Sequence, residues 1–246
     1  MTPKEAESLR GRLIWFESFI FGRVANLSLH IIGKRALERG GNPAITAELR
    51  RALLFFKNRV VNGPPIEICP AAGEVIYIFT DGAFEENAEH PGTVGGVLYS
   101  SSGMPLGYFS EIVPKKILDK YLESSQNPIY VVELLGTLVA ILLWAKHFPH
   151  RYVVSYLDNE ASKSALIKAW SHFDDANRII KLYVDEELKY FWKPWFGRVP
   201  THSNPADAPS RLDTSSLDCQ GVERFHFDWN IITETLVASA HEDQMG

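Results

Sequence analysis

The sequence predicts an α/β protein in which a five-stranded mixed sheet, flanked by helices, follows a helical N-terminal segment. Three observations lead there. Residues 3–60 carry apolar side chains at helical spacing, with Leu9, Leu13, Phe16 and Ile20 in one stripe and Leu49, Leu53, Phe56 and Val60 in another. From Glu74 the pattern changes to short runs rich in β-branched and aromatic residues, beginning with Val75-Ile-Tyr-Ile-Phe-Thr-Asp-Gly-Ala83. The first three runs are joined by short loops, as in an antiparallel meander, whereas stretches of helical character separate the later ones.

The chain has 246 residues, 46% hydrophobic and 22% charged, which suits a globular core of one large domain or two small ones. Its two cysteines, Cys69 and Cys219, lie far apart and in no metal-ligand spacing. That favours a reducing compartment over a disulfide framework. The start lacks a signal-peptide core. The longest apolar stretch, around Ile141-Leu-Leu-Trp-Ala145, is interrupted upstream by Glu133 and Gly136 and reads as too short to span a membrane. The expectation is an intracellular protein, cytoplasmic or nuclear, with no membrane partner. The net charge of −5 conceals an asymmetry: residues 1–70 hold 11 Lys and Arg against 6 Asp and Glu, leaving 14 against 24 for the remainder. A basic segment beside an acidic one fits phosphate contact by the first and a cation site in the second, and fits plain solvated faces equally well.

Taken in order, the helical segment is broken at Gly40-Gly-Asn-Pro43 and restarts with Thr46 or Asn42 as cap. Asn62-Gly-Pro-Pro65 and Pro70-Ala-Ala-Gly73 form a turn-rich linker, which places domain boundaries at 1–70, 74–212 and 213–246. The strand Val75–Ala83 is uninterrupted enough to be covered on both faces, and it runs out on Asp81. A polar loop over 85–92 leads to strands at Val94–Ser100 and Pro105–Val113. The pair Gly95-Gly96 weakens the second strand unless something approaches its backbone closely. Ile129–Phe148 reads as a long helix, started at Asn127-Pro128 and carrying Glu133 among apolar neighbours. Arg151–Leu157 is a strand that ends, like the first, on a carboxylate, Asp158. Helices follow over Ala161–Trp170, capped by Ser162 or Asn159, and over 174–190. Phe191–Pro200 is the last strand. The remainder is polar and irregular, with an aromatic cluster at Phe225, Phe227 and Trp229, a short helix near Ile231–Ala240 and a frayed end.

Each acid has an ordinary explanation when taken alone. Asp81-Gly82 is a turn pair, and Glu133 suits a helix N-terminus facing solvent. Together they form a constellation. If the strands ending on Asp81 and Asp158 are neighbours, their carboxylates converge at one sheet edge, and the intervening helix lays Glu133 over the same place. Asp207 supplies a fourth. Such acids repel unless cations neutralise them, and oxygen ligands without His or Cys favour Mg²⁺ or Mn²⁺ over zinc.

Four local sequences in this order carry a family resemblance. They are Thr80-Asp-Gly-Ala83, Glu133-Leu-Leu-Gly-Thr-Leu-Val-Ala140, Leu157-Asp-Asn-Glu-Ala161 and Ser203-Asn-Pro-Ala-Asp-Ala-Pro-Ser-Arg211. Over residues 74–212 the chain resembles the ribonuclease H domain of retroelement (LTR- or DIRS-like) reverse transcriptases, whose fold is ribonuclease H-like. Leu9-Arg-Gly-Arg-Leu13 and Phe21-Gly-Arg23 are similar to the helical connection that precedes that domain. Tyr156-Leu-Asp-Asn159 has Asn where a polymerase palm needs its second Asp, and is not read as one.

The resemblance implies hydrolysis of the RNA strand of RNA–DNA hybrids, with two Mg²⁺ or Mn²⁺ ions held by Asp81, Glu133, Asp158 and Asp207. It implies Gly82, Ala83 and Asn159 as substrate contacts, and a fused or separate reverse transcriptase polymerase as partner. His202 is a further substrate-side candidate, although only five residues separate it from Asp207, closer than a product-release histidine requires; a loop histidine is the alternative. The acidic stretches Asp174-Asp175 and Asp185-Glu-Glu187 stand where the family carries a basic protrusion. Two other readings stay open: a ribonuclease-H-fold binding or scaffold module of weak or no activity, and a transposase or integrase relative.

Overall fold

The computed structural model describes residues 1–19, 22–38, 43–63, 74–124 and 128–237. Ile20, the break at Gly40–Asn42, the linker from Pro64 to Gly73 with Cys69, Asn127, and the expected frayed end from Ala238 lie outside the described residues. The chain divides into two compact units, one formed by the N-terminal helices and one holding the sheet.

The first unit contains α1 (Pro3–Phe19), α2 (Asn26–Leu37) and α3 (Ala47–Asn62). Its core is Ala6, Leu13, Ala25, Leu29, Ile32, Leu49, Ala52 and Phe56. The expected stripes are therefore partly right: Leu13, Leu49 and Phe56 are buried, but Val60 is exposed and Ala52 takes the inward position on α3. Thr46 is the cap of α3, its hydroxyl accepting from the Leu49 amide at 3.2 Å. One ion pair is internal: Arg59 Nε donates to Glu17 Oε1 at 2.6 Å, and Glu17 is 3% exposed.

The second unit is built on β1 (Val75–Phe84), β2 (Gly92–Tyr99), β3 (Pro105–Ile112), β4 (Tyr152–Leu157) and β5 (Lys193–Arg198), in the spatial order β3-β2-β1-β4-β5. The first three pair antiparallel through short connections, while β4 and β5 lie parallel to β1 and require crossovers. α4 (Lys115–Ser124) and α5 (Pro128–Trp144) make the first crossover; α6 (Glu160–Lys168) and α7 (Asp174–Tyr190) make the second. This is the five-stranded mixed sheet that the sequence predicts. α4 was not predicted, although Ile117, Leu118 and Tyr121 have helical spacing and are buried.

α5 is the central packing element. It buries almost its whole surface against β1 and β2 on one side and α7 on the other. Such a helix has no polar face, so its sequence shows no amphipathic period. Pro128–His147 is in fact long and apolar enough to cross a membrane by length and composition, contrary to the expectation from the sequence. It is a core helix because 83% of that stretch is buried inside the fold.

β1 also departs from expectation. Its residues alternate between buried and half-buried, with Ile76, Ile78 and Thr80 inward. On the other face Phe79 stacks on Tyr156 at 4.8 Å. α8 (Asp207–Ser210) packs on β1 and β2, and after Leu212 come α9 (Ser215–Cys219), a stretch over 223–225 that runs along β3, and α10 (Asn230–Val237), which packs on α4 and α7. The Tyr108 amide donates to the Glu223 carbonyl at 2.9 Å and the Phe225 amide to the Tyr108 carbonyl at 2.7 Å. The buried Tyr108 hydroxyl donates to Asp218. Residues 213–237 thus belong to the same compact unit as the sheet.

Candidate metal centre

Asp81 does not lie at the end of β1. The strand continues to Phe84 on its β2 side, with Asp81 opposite Gly95, but its parallel pairing with β4 stops at Phe79–Tyr156. β1 and β4 therefore part just before their acids. Asp81 and, one residue beyond β4, Asp158 face the gap. Glu133 arrives from α5 because helix and strand approach very closely here. A Cβ on Gly82 would come within 2.7 Å of the Glu133 amide nitrogen, so only glycine permits this packing.

Asp81, Glu133 and Asp158 each bring a carboxylate oxygen within 4.8 Å of the others. Asp81 and Glu133 are buried, at 5% and 3% exposure. Glu133 Oε2 has no hydrogen-bond partner. Burial, followed by the charges of Asp81 and Asp158, pushes the Glu133 carboxyl up to about 10. Burial also pushes Asp81 up to about 6, aided by Asp158 and Asp207 and opposed by the hydrogen bond from Ser210. Three all-oxygen donors, one with an orphaned buried atom, are costly to ionise together without a cation. The residues present fit a hard divalent ion such as Mg²⁺ or Mn²⁺.

Asp207 is not drawn into this group of three. It opens the four-residue α8, is half-buried, and pairs with Arg211 at 3.3 Å. It is near enough for its charge to act on Asp81. Among the expected substrate contacts, Gly82 and Ala83 line a cleft beside the acids together with His90, Thr93, Ile129 and Arg211. Asn159 is committed locally: its side-chain oxygen caps α6, accepting from the Ala161 amide at 3.0 Å and the Ser162 amide at 3.1 Å. Ser162, the other cap candidate, instead donates its hydroxyl to the Tyr130 carbonyl. His202 is exposed, in a single turn over Thr201–Ser203.

The sequence reading missed the residues that hold the acids in place. Asn204 Nδ2 donates to the Thr80 carbonyl at 3.1 Å, next to Asp81. The Ser210 hydroxyl donates to Asp81 Oδ2 at 2.5 Å, and the Thr201 hydroxyl to Asp158 Oδ2 at 2.8 Å. Ser110 donates to the Pro209 carbonyl at 2.7 Å and Thr93 to the Ser210 carbonyl at 2.5 Å, which fastens the segment to β2 and β3. The close approach foreseen at the glycine pair is made by this segment: a Cβ on Gly95 would lie 2.3 Å from the Ser210 nitrogen. The signal was present in Asn204 and Ser210 of the quoted motif, but their partners are more than a hundred residues away in sequence.

No protein-family model matches the chain, and no curated protein matches it. Solved structures similar to part of it include ribonuclease H1 from Halobacterium salinarum NRC-1, at 22% identity, covering 59% of this chain and 98% of that one with a TM-score of 0.43. The LC11 ribonuclease H1 isolated from compost is similar at 16% identity, over 58% of this chain and 96% of that one, with a TM-score of 0.46. The prototype foamy virus protease–reverse transcriptase is similar at 11% identity, over 67% of this chain and 22% of that one, with a TM-score of 0.36. The fold stands on its own strand order and register rather than on these likenesses.

Proposed function

We propose that this chain is a metal-dependent endonuclease that hydrolyses the RNA strand of RNA–DNA hybrids, as the ribonuclease H part of a reverse-transcriptase-like protein. The observation that carries this reading is the convergence of Asp81, Glu133 and Asp158 at the point where β1 and β4 part. Those three residues would hold the ions, with Asp207 joining them on release from Arg211. Bound Mg²⁺ would supply Lewis-acid activation of water and charge stabilisation at the scissile phosphate. The protein's own residues do the rest. Glu133 must give up its proton before it can serve as a ligand. Asp81, central in the cluster, is held by Ser210. Gly82 and Ala83, which line the cleft, carry little or no side chain, so their backbone would suit contact with the 2′-hydroxyls that distinguish RNA from DNA. The basic N-terminal unit would contribute phosphate contacts, with the salt sensitivity these bring.

The test is cleavage of a labelled RNA–DNA hybrid by the purified chain in Mg²⁺ or Mn²⁺, with Asp81→Asn as control. Cleavage of the RNA strand that is lost in Asp81→Asn supports the proposal; no cleavage by the wild type in either metal sinks it. A second reading, a ribonuclease-H-fold binding or scaffold module, is favoured by Asp207, which sits outside the cluster in an ion pair. Hybrid binding without cleavage would support that reading.

A further inference from the structure

The segment from Thr201 to Arg211 carries Asp207 beside the group of three acids and touches two of those acids through hydroxyls. Ser210 is fully buried, and its oxygen lies 2.5 Å from Asp81 Oδ2 and 2.8 Å from the Asp207 carbonyl. A hydroxyl has one proton, and the carboxylate is the stronger acceptor. The bond engages one Asp81 oxygen and leaves the other for a ligand role. Thr201, at the far end of the segment, does the same for Asp158 Oδ2 at 2.8 Å. Between them Asn204 ties the segment to the backbone of β1. The two acids come from different strands, and the pairing of those strands stops short of both. The Thr201–Arg211 segment hydrogen-bonds through a hydroxyl to each of them.

We infer that Ser210 and Thr201 are positioning residues: their hydroxyls set the orientation of Asp81 and Asp158 and so determine how tightly a divalent cation is held. The inference rests on the metal-dependent reading of the site. It extends that reading to two residues with no ligand role of their own. Groups that orient metal ligands from behind typically change affinity by about ten- to a hundredfold when removed.

The experiment measures Mn²⁺ binding to the full chain by calorimetry and by electron paramagnetic resonance, alongside thermal unfolding in EDTA. For Ser210→Ala the Mn²⁺ dissociation constant is expected to rise about tenfold. For Thr201→Val, whose bond is exposed, the rise is about threefold, and Thr201→Ser restores the wild-type value. A purely structural role would lower the unfolding temperature and leave the affinity of the folded protein unchanged. Unchanged affinity in both hydroxyl-free variants overturns the inference. If Ser210→Ala does not fold, the Thr201 pair decides the question alone. Wild type that binds no Mn²⁺ overturns both the inference and the metal-dependent function. Wild type that binds Mn²⁺ but cleaves no hybrid, with weakened binding in the variants, removes the function and leaves the positioning role standing.

Discussion

Glu133→Gln is expected to stabilise the ion-free protein, and to do so more as pH rises. The Glu133 carboxyl has an ordinary value of 4.5, pushed up in the fold to about 10 by burial and by Asp81 and Asp158. Raised in the folded state, it contributes stability that is fully present below 4.5 and is lost as pH climbs toward 10. At pH 7 the folded protein keeps the group protonated where the unfolded chain would ionise it. At about 1.4 kcal/mol per pH unit, the 2.5 units above 4.5 amount to roughly 3 kcal/mol. Glutamine has the same shape and no proton to lose, so this cost disappears in the variant. Urea unfolding in EDTA should show the variant ahead by about 3 kcal/mol at pH 7 and by less than about 1 kcal/mol at pH 5. Asp81 shifts in the same direction, to about 6, but is present in both proteins. Adding Mn²⁺ should reverse the order, because only the carboxylate becomes an anionic ligand. In the wild type at pH 7 that binding should release about one proton, measurable as a buffer-dependent heat. Stability curves for variant and wild type that run parallel from pH 5 to 8.5 in EDTA would refute the argument.

Two other outcomes follow from the packing. Gly82→Ala places a Cβ 2.7 Å from the Glu133 nitrogen and 2.8 Å from the Val132 carbonyl carbon, both backbone atoms that cannot rotate away. A loss of about 1–3 kcal/mol in urea unfolding is expected, together with weaker Mn²⁺ binding because Glu133 is displaced; unchanged binding would show that α5 shifts as a body without disturbing the cluster. In the N-terminal unit, Arg59→Met strands Glu17, which is 3% exposed. The expected cost is about 3 kcal/mol, mostly recovered in the double variant Glu17→Leu/Arg59→Met; a loss below about 1 kcal/mol in helical circular dichroism melts would show that water reaches Glu17 once Arg59 is gone.

Much of the fold was legible because its determinants are local. The β-branched and aromatic runs of β1 to β5 differ in period from the helices, and the break in pattern at Glu74 separates the two units. α4 escaped notice because its buried stripe, Ile117, Leu118 and Tyr121, spans little more than one helical turn. α5 conveyed its helical nature but not its setting, since a wholly buried helix and a membrane span have the same composition.

The site divides in the same way. The sequence by itself determined the chemistry on offer: carboxylates at Asp81, Glu133 and Asp158 in an order that suits one sheet edge, a glycine at 82 beside the first acid, and Asn204 and Ser210 in one motif. Their types are visible because an acid is conspicuous in an apolar run. Only the tertiary structure decided which of them meet. It showed that β1 leaves β4 at Phe79 to open the gap, that Asp207 lies outside the group of three, and that Ser210 and Thr201 reach back to Asp81 and Asp158. The Thr201 and Ser210 contacts join residues 43 and 129 positions apart, and no local period or spacing encodes them.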